Sequence, residues 1–180
     1  RRVCVNEKTV QLGERPTSAD QFAALTAEMA RTPEGGAAAM VLALLIAAED
    51  VVLGRQCLPI AVVAERLQPG THGYKGRELR RGDLQLIERQ LGKQRYLPAS
   101  YLRGTAPESG YAAPELPWEL TISTNPHSGD PASGRVKLFV ACSGAASPRP
   151  LTVTRDASGM WRANEWSSLL LGIVAPPAIG

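Results

Sequence analysis

The segment Tyr96–Tyr111, YLPASYLRGTAPESGY, separates two halves of the sequence that have different hydrophobic periods. Before it, apolar residues recur every three or four positions, which is typical of one face of a helix, whereas after it they alternate as in half-buried strands. The segment contains three tyrosines, two prolines and two glycines, so its backbone is constrained at several points. We predict an ordered connection that is packed between a helical half and a β half.

The first two predicted helices carry clear start signals. Ser18, followed three residues later by Gln21, forms a capping box and opens a helix that continues through Ala30. At Thr32–Glu34 a capping hydroxyl is followed by a proline and an acid, which suit the first turn of the next helix. That helix, over about 36–53, is apolar on nearly all sides, so we predict that it is surrounded by protein as the central helix.

Weaker patterns lie on either side of this central helix. Residues 3–12 alternate only weakly around polar side chains and predict a short strand or an extended arm. Residues 58–67 predict a short helix, and residues 71–76 a glycine-rich loop whose spacing does not fit a phosphate-binding motif. Asp83 is expected to cap a last helix that runs through Leu91.

Four strands are predicted after the connection. They cover residues 118–123, 136–142, 151–155 and 160–166. The second of these is apolar on both faces, which favours a central position in the sheet. Asp156–Gly159 has the composition of a hairpin turn. Because each strand follows the previous one through a short loop, we predict a four-stranded antiparallel meander.

These patterns together predict an α+β fold in which the helical N-terminal half packs on one face of the four-stranded meander. A chain of 180 residues can bury one sizeable core, so we expect a single domain over 1–180. Within it, residues 1–95 form the mainly helical half, 96–117 the ordered connection and 118–180 the antiparallel β half.

The positive charge of the chain is concentrated in one segment. The formal net charge is +3, and residues 75–95 hold seven basic side chains against three acidic ones. Aromatic residues that could stack on bases do not alternate with these charges, as they do in single-strand binding proteins. We therefore read the segment as a solvated helix face and do not expect nucleic acid as a partner.

Metal binding, cofactor binding and covalent catalysis have no matching motif. The three cysteines are far apart, and the two histidines stand alone in predicted loops, so ligand spacing for a metal does not occur. His127, Ser128 and Asp130 are the residue types of an acyl-transfer triad, but a triad needs partners on separate rigid elements, and these share one loop. We predict no metal, no cofactor and no catalytic residue.

The apolar segments of the chain are short. The longest run, residues 37–48, does not reach the length that a membrane-spanning helix requires. The three scattered cysteines suit a reducing compartment. We expect no membrane span and a cytoplasmic protein.

Candidate binding residues lie mainly in two loops rich in proline and glycine, at 100–111 and 143–150, because rigid loops on a scaffold commonly carry function. The candidates are Tyr101, Arg103, Glu108, Tyr111, Arg149 and Trp161. They favour a non-enzymatic protein-interaction or structural module with a protein partner; whether a small molecule also binds is left open. The alternative is a hydrolase-type enzyme with its site between the two loops, which a deep pocket of converging polar groups would indicate.

A structural role for the same charges is a competing interpretation. Arginine has a planar fork of donors that suits a carboxylate in a partly buried loop. We therefore predict that Arg103 or Arg149 pairs with Glu108 or Glu165 and fixes the connection against the sheet.

Four linked motifs carry a resemblance to a known family. They are Pro98–Tyr111, Asn125–Ser128, Gly144–Pro150 and Trp161–Glu165. Through them the chain resembles, over about 37–176, an uncharacterised bacterial family known only as a domain of unknown function, with the pattern Pro-x-Ser-Tyr … Pro-Glu-x-Gly-Tyr … Ser-Pro-Arg-Pro. His127 and Ala146 stand where that family usually has tyrosine and aspartate. The resemblance implies one folding unit and no particular activity.

Overall fold

The computed structural model describes residues 5–178, which form four helices and seven strands. The helices are α1 (Ala19–Met29), α2 (Pro33–Glu49), α3 (Val51–Ala61) and α4 (Arg81–Lys93). The strands are β1 (Asn6–Leu12), β2 (Leu67–Tyr74), β3 (Arg77–Leu79), β4 (Trp118–Thr124), β5 (Arg135–Val140), β6 (Arg149–Arg155) and β7 (Trp161–Glu165). The fold is α+β with the helices mostly in the N-terminal half, which confirms the predicted class.

The main sheet is antiparallel and has the order β1-β4-β5-β6-β7. Strands β4 to β7 are the predicted meander, and β1 adds a fifth strand along the outer edge of β4, in register from Asn6 opposite Thr124 to Leu12 opposite Trp118. Of the residues predicted as a strand or arm, 6–12 are therefore a strand, while residues 1–4 lie outside the described part of the chain. The sheet has five strands rather than four.

One face of this sheet is buried and the other is largely open. Along β5 the side chains of Val136, Leu138 and Val140 are buried, whereas Arg135 and Lys137 are exposed. The strand occupies the centre of the sheet, as predicted, but it is not buried on both faces. The helices therefore cover a single face of the sheet.

Helix α2 is the central helix, as its composition predicts. It begins at Pro33 after Thr32, whose hydroxyl accepts a hydrogen bond from the Gly35 amide at 3.1 Å, and it packs against β1, β5, β6 and β7. It ends at Glu49, four residues earlier than predicted. Asp50 has an extended backbone (φ −137°, ψ 100°), and its carboxylate caps α3 by accepting from the Leu53 amide at 3.0 Å. A capping residue thus divides one apolar run into two helices.

The prediction of a helix over 58–67 and a loop over 71–76 was wrong. Helix α3 ends at Ala61, and the chain returns as the hairpin β2–β3 between α3 and α4. Glycines permit this close pairing, since a side chain at Gly73 would come within 2.0 Å of the Arg77 carbonyl oxygen. Helix α4 begins at Arg81, so Asp83 lies in its first turn and does not cap it.

The segment 96–111 forms two short 3₁₀ turns, Pro98–Tyr101 and Pro107–Ser109. Its first turn packs against α2, and the Arg103 amide donates to the Glu119 carbonyl of β4 at 2.8 Å. The segment therefore contacts the central helix on one side and the sheet on the other.

Candidate binding surface

Tyr101 and Tyr111, two of the candidate binding residues, are core residues. They are 1% and 2% exposed. The Tyr101 hydroxyl donates to the Leu169 carbonyl, and burial raises the pKa of this phenol far above its usual value. The Tyr111 hydroxyl donates to the Val174 carbonyl, and burial likewise raises its pKa. Both phenols therefore tie the connection to the C-terminal segment rather than present a hydroxyl to solvent.

Arg149 and Trp161 are also engaged within the chain. Two nitrogens of the Arg149 guanidinium, Nη1 and Nη2, donate to the carbonyls of Leu171 and Gly172 at 2.5 and 2.7 Å. Trp161 is 3% exposed, and its amide donates to the Ala30 carbonyl at 2.7 Å, beside the start of α2. Trp161 thus fixes the helices on the sheet.

The predicted ion-pair lock was wrong. Arg103 pairs with Glu119, with Nη1 and Oε2 3.3 Å apart, because its own backbone lies beside β4. Glu165 pairs with Arg135 instead, at 3.2 Å. Glu108 is exposed and forms no ion pair with any residue at 5–178. Carbonyls of the C-terminal segment, not carboxylates, hold the Arg149 loop.

The concavity between loops 100–111 and 143–150 is small, about 220 Å³. Its hydroxyls are bonded to one another and to carbonyls: Thr105 Oγ1 lies 2.9 Å from Ser143 Oγ, and Ser143 Oγ donates to the Ser100 carbonyl at 3.1 Å. The Ser100 hydroxyl donates to the Leu97 carbonyl at 2.6 Å. None of these hydroxyls has a carboxylate or an imidazole as its hydrogen-bond partner within the described residues, so none is paired with a base.

A larger cleft of about 610 Å³ opens on the other side of the connection. We call it the tyrosine cleft. Its walls include Leu45 and Ala48 of α2, Arg95 and Tyr96 at the start of the connection, and Tyr111 and Trp118 at its end. The connection therefore forms one wall, and the C-terminal part of the central helix forms the other.

The tyrosine cleft is where the central helix reaches solvent. From Gly35 to Ala48, every residue of α2 is buried except Leu45 and Ala48, which are half-buried, and both line the cleft. Beyond Asp50, α3 begins with two exposed valines, Val51 and Val52, of which Val52 is 66% exposed; neither of them lines the cleft. Apolar surface is thus concentrated at this end of α2.

The aromatic wall of the cleft is rigid. The rings of Tyr96 and Tyr111 stack with centroids 5.3 Å apart and planes 13° apart, an arrangement that contributes roughly 0.5–1.5 kcal/mol beyond its buried area. Tyr111 has a left-handed backbone (φ 58°), which costs a non-glycine residue about 1 kcal/mol. On the neighbouring wall, the Trp118 indole donates to the Pro114 carbonyl at 2.8 Å. These contacts fix the ring of Tyr96, which is half-buried, at the surface of the cleft.

The charges of the cleft leave one cation without a counter-ion. Arg15 pairs with Glu49. Arg95 Nε donates to the Ala48 carbonyl near the end of α2 at 3.2 Å, as basic side chains often do at helix C-termini. The Arg95 guanidinium is exposed and forms no ion pair with the described residues 5–178. The cleft is therefore apolar and aromatic with a positive edge.

The structure thus combines an α+β fold with an apolar and aromatic cleft, and the hydroxyls of the smaller concavity are not paired with a base among the described residues. Residues 14–177 match the family described as a domain of unknown function (DUF6935), and the chain belongs to this family. The predicted resemblance to a domain of unknown function is thus confirmed, and the match begins closer to the N-terminus than predicted. Neither a curated protein nor a solved structure was found to match the chain. No helix among residues 5–178 has the length and apolarity needed to cross a membrane.

Sequence reasoning found one wall of the tyrosine cleft and missed the other. Tyr96 and Tyr111 bound the segment that was singled out, but only Tyr111 was a candidate binding residue. Leu45 and Ala48 carry no signal of their own, because they stand in a helix whose residues are nearly all apolar. Arg95 could have been noticed as the last cation of the basic segment, next to the first tyrosine.

Proposed function

We propose that this chain is a non-enzymatic protein-interaction module that holds an extended segment of a partner protein in the tyrosine cleft. The observation that carries this proposal is that Leu45 and Ala48 of the otherwise buried central helix are only partly buried, and that both line a concavity of about 610 Å³. Residues 5–178 leave this apolar surface of the helix partly uncovered. Concave apolar surface of this kind is a common site of binding.

The rigidity of the cleft supports binding rather than catalysis. The Tyr96–Tyr111 stack and the hydrogen bond from Tyr111 to Val174 hold the aromatic wall in place before any partner arrives. A partner then loses little free energy in ordering this surface. Tyrosine, tryptophan and arginine, which are enriched in protein interfaces, are all present in the lining.

The lining also indicates the chemistry of the partner segment. A proline or aliphatic side chain of the partner would pack against Tyr96 and Leu45, as proline-rich segments pack in aromatic grooves. A carboxylate of the partner would pair with the guanidinium of Arg95, which has no counter-ion among residues 5–178. We therefore propose an extended apolar segment that carries an acidic residue.

The alternative hydrolase has less support. Its expected site lies between loops 100–111 and 143–150, where the concavity is about 220 Å³. There the hydroxyls of Thr105 and Ser143 bond to each other, and the Ser100 hydroxyl bonds to the Leu97 carbonyl and lies 3.3 Å from the Cys142 sulfur. A hydrolytic serine needs a base within hydrogen-bond distance. No observation at these loops favours hydrolysis over a structural role.

Tryptophan substitutions at two neighbouring alanines test the interaction proposal. Ala113 and Ala112 are both exposed, but only Ala113 lines the cleft. Tagged wild-type protein should retain a stoichiometric protein partner from an extract of its own cells. Ala113→Trp should abolish this retention, Arg95→Gln should weaken it about tenfold through loss of one charge-assisted contact, and Ala112→Trp should leave it unchanged. Equal retention by wild type and Ala113→Trp would contradict the proposal.

A further inference from the structure

A second concavity, of about 420 Å³, lies between α1, the end of α3, the hairpin β2–β3 and the β6–β7 turn. We call it the α1–α3 groove. Its apolar wall includes Ala27 of α1, Pro59 and Ile60 of α3, Leu67 of β2, and Met160 before β7. The residues that line it and those that line the tyrosine cleft do not overlap. Its volume falls within the range of pockets that bind small molecules.

Two of the charged groups in the groove neutralise each other. Arg162 Nε lies 2.7 Å from Asp156 Oδ2, and the Arg162 guanidinium also donates to the Ile60 carbonyl. Asp156 Oδ1 accepts from the amides of Ser158 and Met160 at 2.9 and 3.0 Å. This pair is satisfied within the chain and has a structural role in the β6–β7 turn.

Arg77 supplies an uncompensated positive charge. Its side chain lines the groove and is exposed, and it forms neither an ion pair nor a side-chain hydrogen bond with any of the described residues 5–178. Because the charges of Arg162 and Asp156 cancel, the net charge of the groove lining is that of the Arg77 guanidinium. A ligand that fits the groove should therefore bear a single negative charge at one end.

An unpartnered hydroxyl stands in the same wall. Thr26, on α1, lines the groove and is 1% exposed, and its Oγ1 has no hydrogen-bond partner among the described residues 5–178. Buried hydroxyls nearly always have a partner, and one without a partner costs free energy in the unliganded protein. A polar atom of a bound molecule is one way to satisfy it, and this observation is independent of the charge of Arg77.

We propose that the α1–α3 groove binds a small amphipathic carboxylate, with its hydrocarbon chain on the apolar wall and its carboxylate at Arg77. A carboxylate fits better than a phosphate, because one guanidinium matches a carboxylate with two parallel hydrogen bonds. Phosphate sites usually add several backbone amides or further cations to that contact. The apolar extent of the wall requires a chain of several methylenes rather than a short acid such as acetate.

Titration calorimetry with octanoate, below its micelle concentration, tests this proposal. Wild-type protein should bind one octanoate per chain, and about tenfold more tightly than it binds 1-octanol, which has the same chain without the charge. Two matched pairs of variants locate the site. Ala27 and Ala24 are both exposed on α1, but only Ala27 lines the groove; Arg77 and Arg80 are both exposed, but only Arg77 lines it.

Ala27→Phe should abolish octanoate binding, whereas Ala24→Phe should leave it unchanged. Arg77→Gln should weaken octanoate binding about tenfold and remove the preference over 1-octanol, whereas Arg80→Gln should do neither. Absence of saturable octanoate binding in the wild type, or binding that survives Ala27→Phe, would overturn the site. Octanoate binding that is unaffected by Arg77→Gln would overturn the assignment of a carboxylate.

Discussion

The hydroxyl of Tyr101 donates a hydrogen bond to the carbonyl of Leu169, 68 residues later in the chain, and both residues are buried. Tyr111 makes the equivalent bond to Val174. These two bonds hold the segment after β7 against the connection, and the bonds of Arg149, at the start of β6, hold the same segment against the sheet. The connection that the sequence predicts to be ordered is therefore bonded at two points to the segment that follows β7.

Tyr101→Phe should lower the free energy of unfolding by about 1–2 kcal/mol, because it leaves the buried Leu169 carbonyl without its donor. For a chain of this size that corresponds to roughly 2–8 °C in Tm. The control is Tyr74→Phe, which removes a hydroxyl bonded to the carboxylate of Asp20 near the surface and should cost less. Thermal unfolding monitored by circular dichroism measures the stability of both variants. An equal loss of stability in the two would contradict a special role for Tyr101.

Arg149→Ala should lower the free energy of unfolding by about 1–3 kcal/mol, since two carbonyls of the C-terminal segment lose charged donors. Glu108→Ala should change it by less than about 0.5 kcal/mol, because Glu108 is exposed and pairs with no arginine of the described chain. Urea unfolding gives both values. A large loss of unfolding free energy in Glu108→Ala would instead support the ion pair between Glu108 and an arginine, which the structure contradicts.

Thr26→Val should raise stability by about 1 kcal/mol in the absence of ligand. The substitution keeps the shape of the side chain and removes a buried hydroxyl for which the described part of the chain supplies no hydrogen-bond partner. Calorimetric Tm values for the two proteins test this without any added molecule. A Thr26→Val protein that is less stable than wild type would mean that the hydroxyl is satisfied, and it would remove one of the two supports of the carboxylate site.

Asp156 should make stability depend on pH in the acid range. Partial burial raises the pKa of this carboxyl, but hydrogen bonds from Arg162, Ser158 and the Met160 amide outweigh burial and lower it to about 2. A carboxyl whose pKa is depressed by folding stabilises the protein above its unfolded pKa, near 3.9, and that contribution is lost as the pH falls towards 2.

The wild-type advantage over Asp156→Asn should therefore be full at pH 6 and should shrink steadily between about pH 4 and pH 2. We expect the pH-dependent part to be about 1 kcal/mol, less than the whole pKa shift implies, because the carboxylate is partly exposed and screened. Unfolding curves of both proteins at several pH values measure the difference. A difference that stays constant from pH 6 to pH 2 would show that Asp156 is not held ionised by folding.

The fold was predictable where local signals and burial agree. Thr32 and Pro33 mark the start of the central helix, and the alternation of strands β4 to β7 predicts the meander. The division of the apolar run at Asp50 was not predictable, since an aspartate at that place equally suits the polar end of a longer helix. The hairpin β2–β3 was missed because Gly73 is needed for a close approach to Arg77 that exists only in three dimensions.

The candidate site was harder to predict than the fold. Tyrosines in a proline-rich segment suggested an exposed aromatic surface, but Tyr101 and Tyr111 are buried because their hydroxyls find carbonyls in the C-terminal segment, more than 60 residues away. Partners at such separations leave no local trace in a sequence. The partial burial of Leu45 is equally hard to predict, because it depends on how much of the central helix the connection covers in the folded protein.

The central claim, that a protein partner occupies the tyrosine cleft, is tested most directly by photo-crosslinking in the living source cells. A benzophenone amino acid placed at Ala113, on the cleft wall, is compared with one at Ala132, an exposed alanine in the loop before β5. The account predicts one discrete crosslinked protein from position 113, none from position 132, and loss of the product from position 113 when Arg95 is replaced by glutamate, because the charge of the cleft edge is then reversed. No crosslink at position 113, or the same products from both positions, would contradict it.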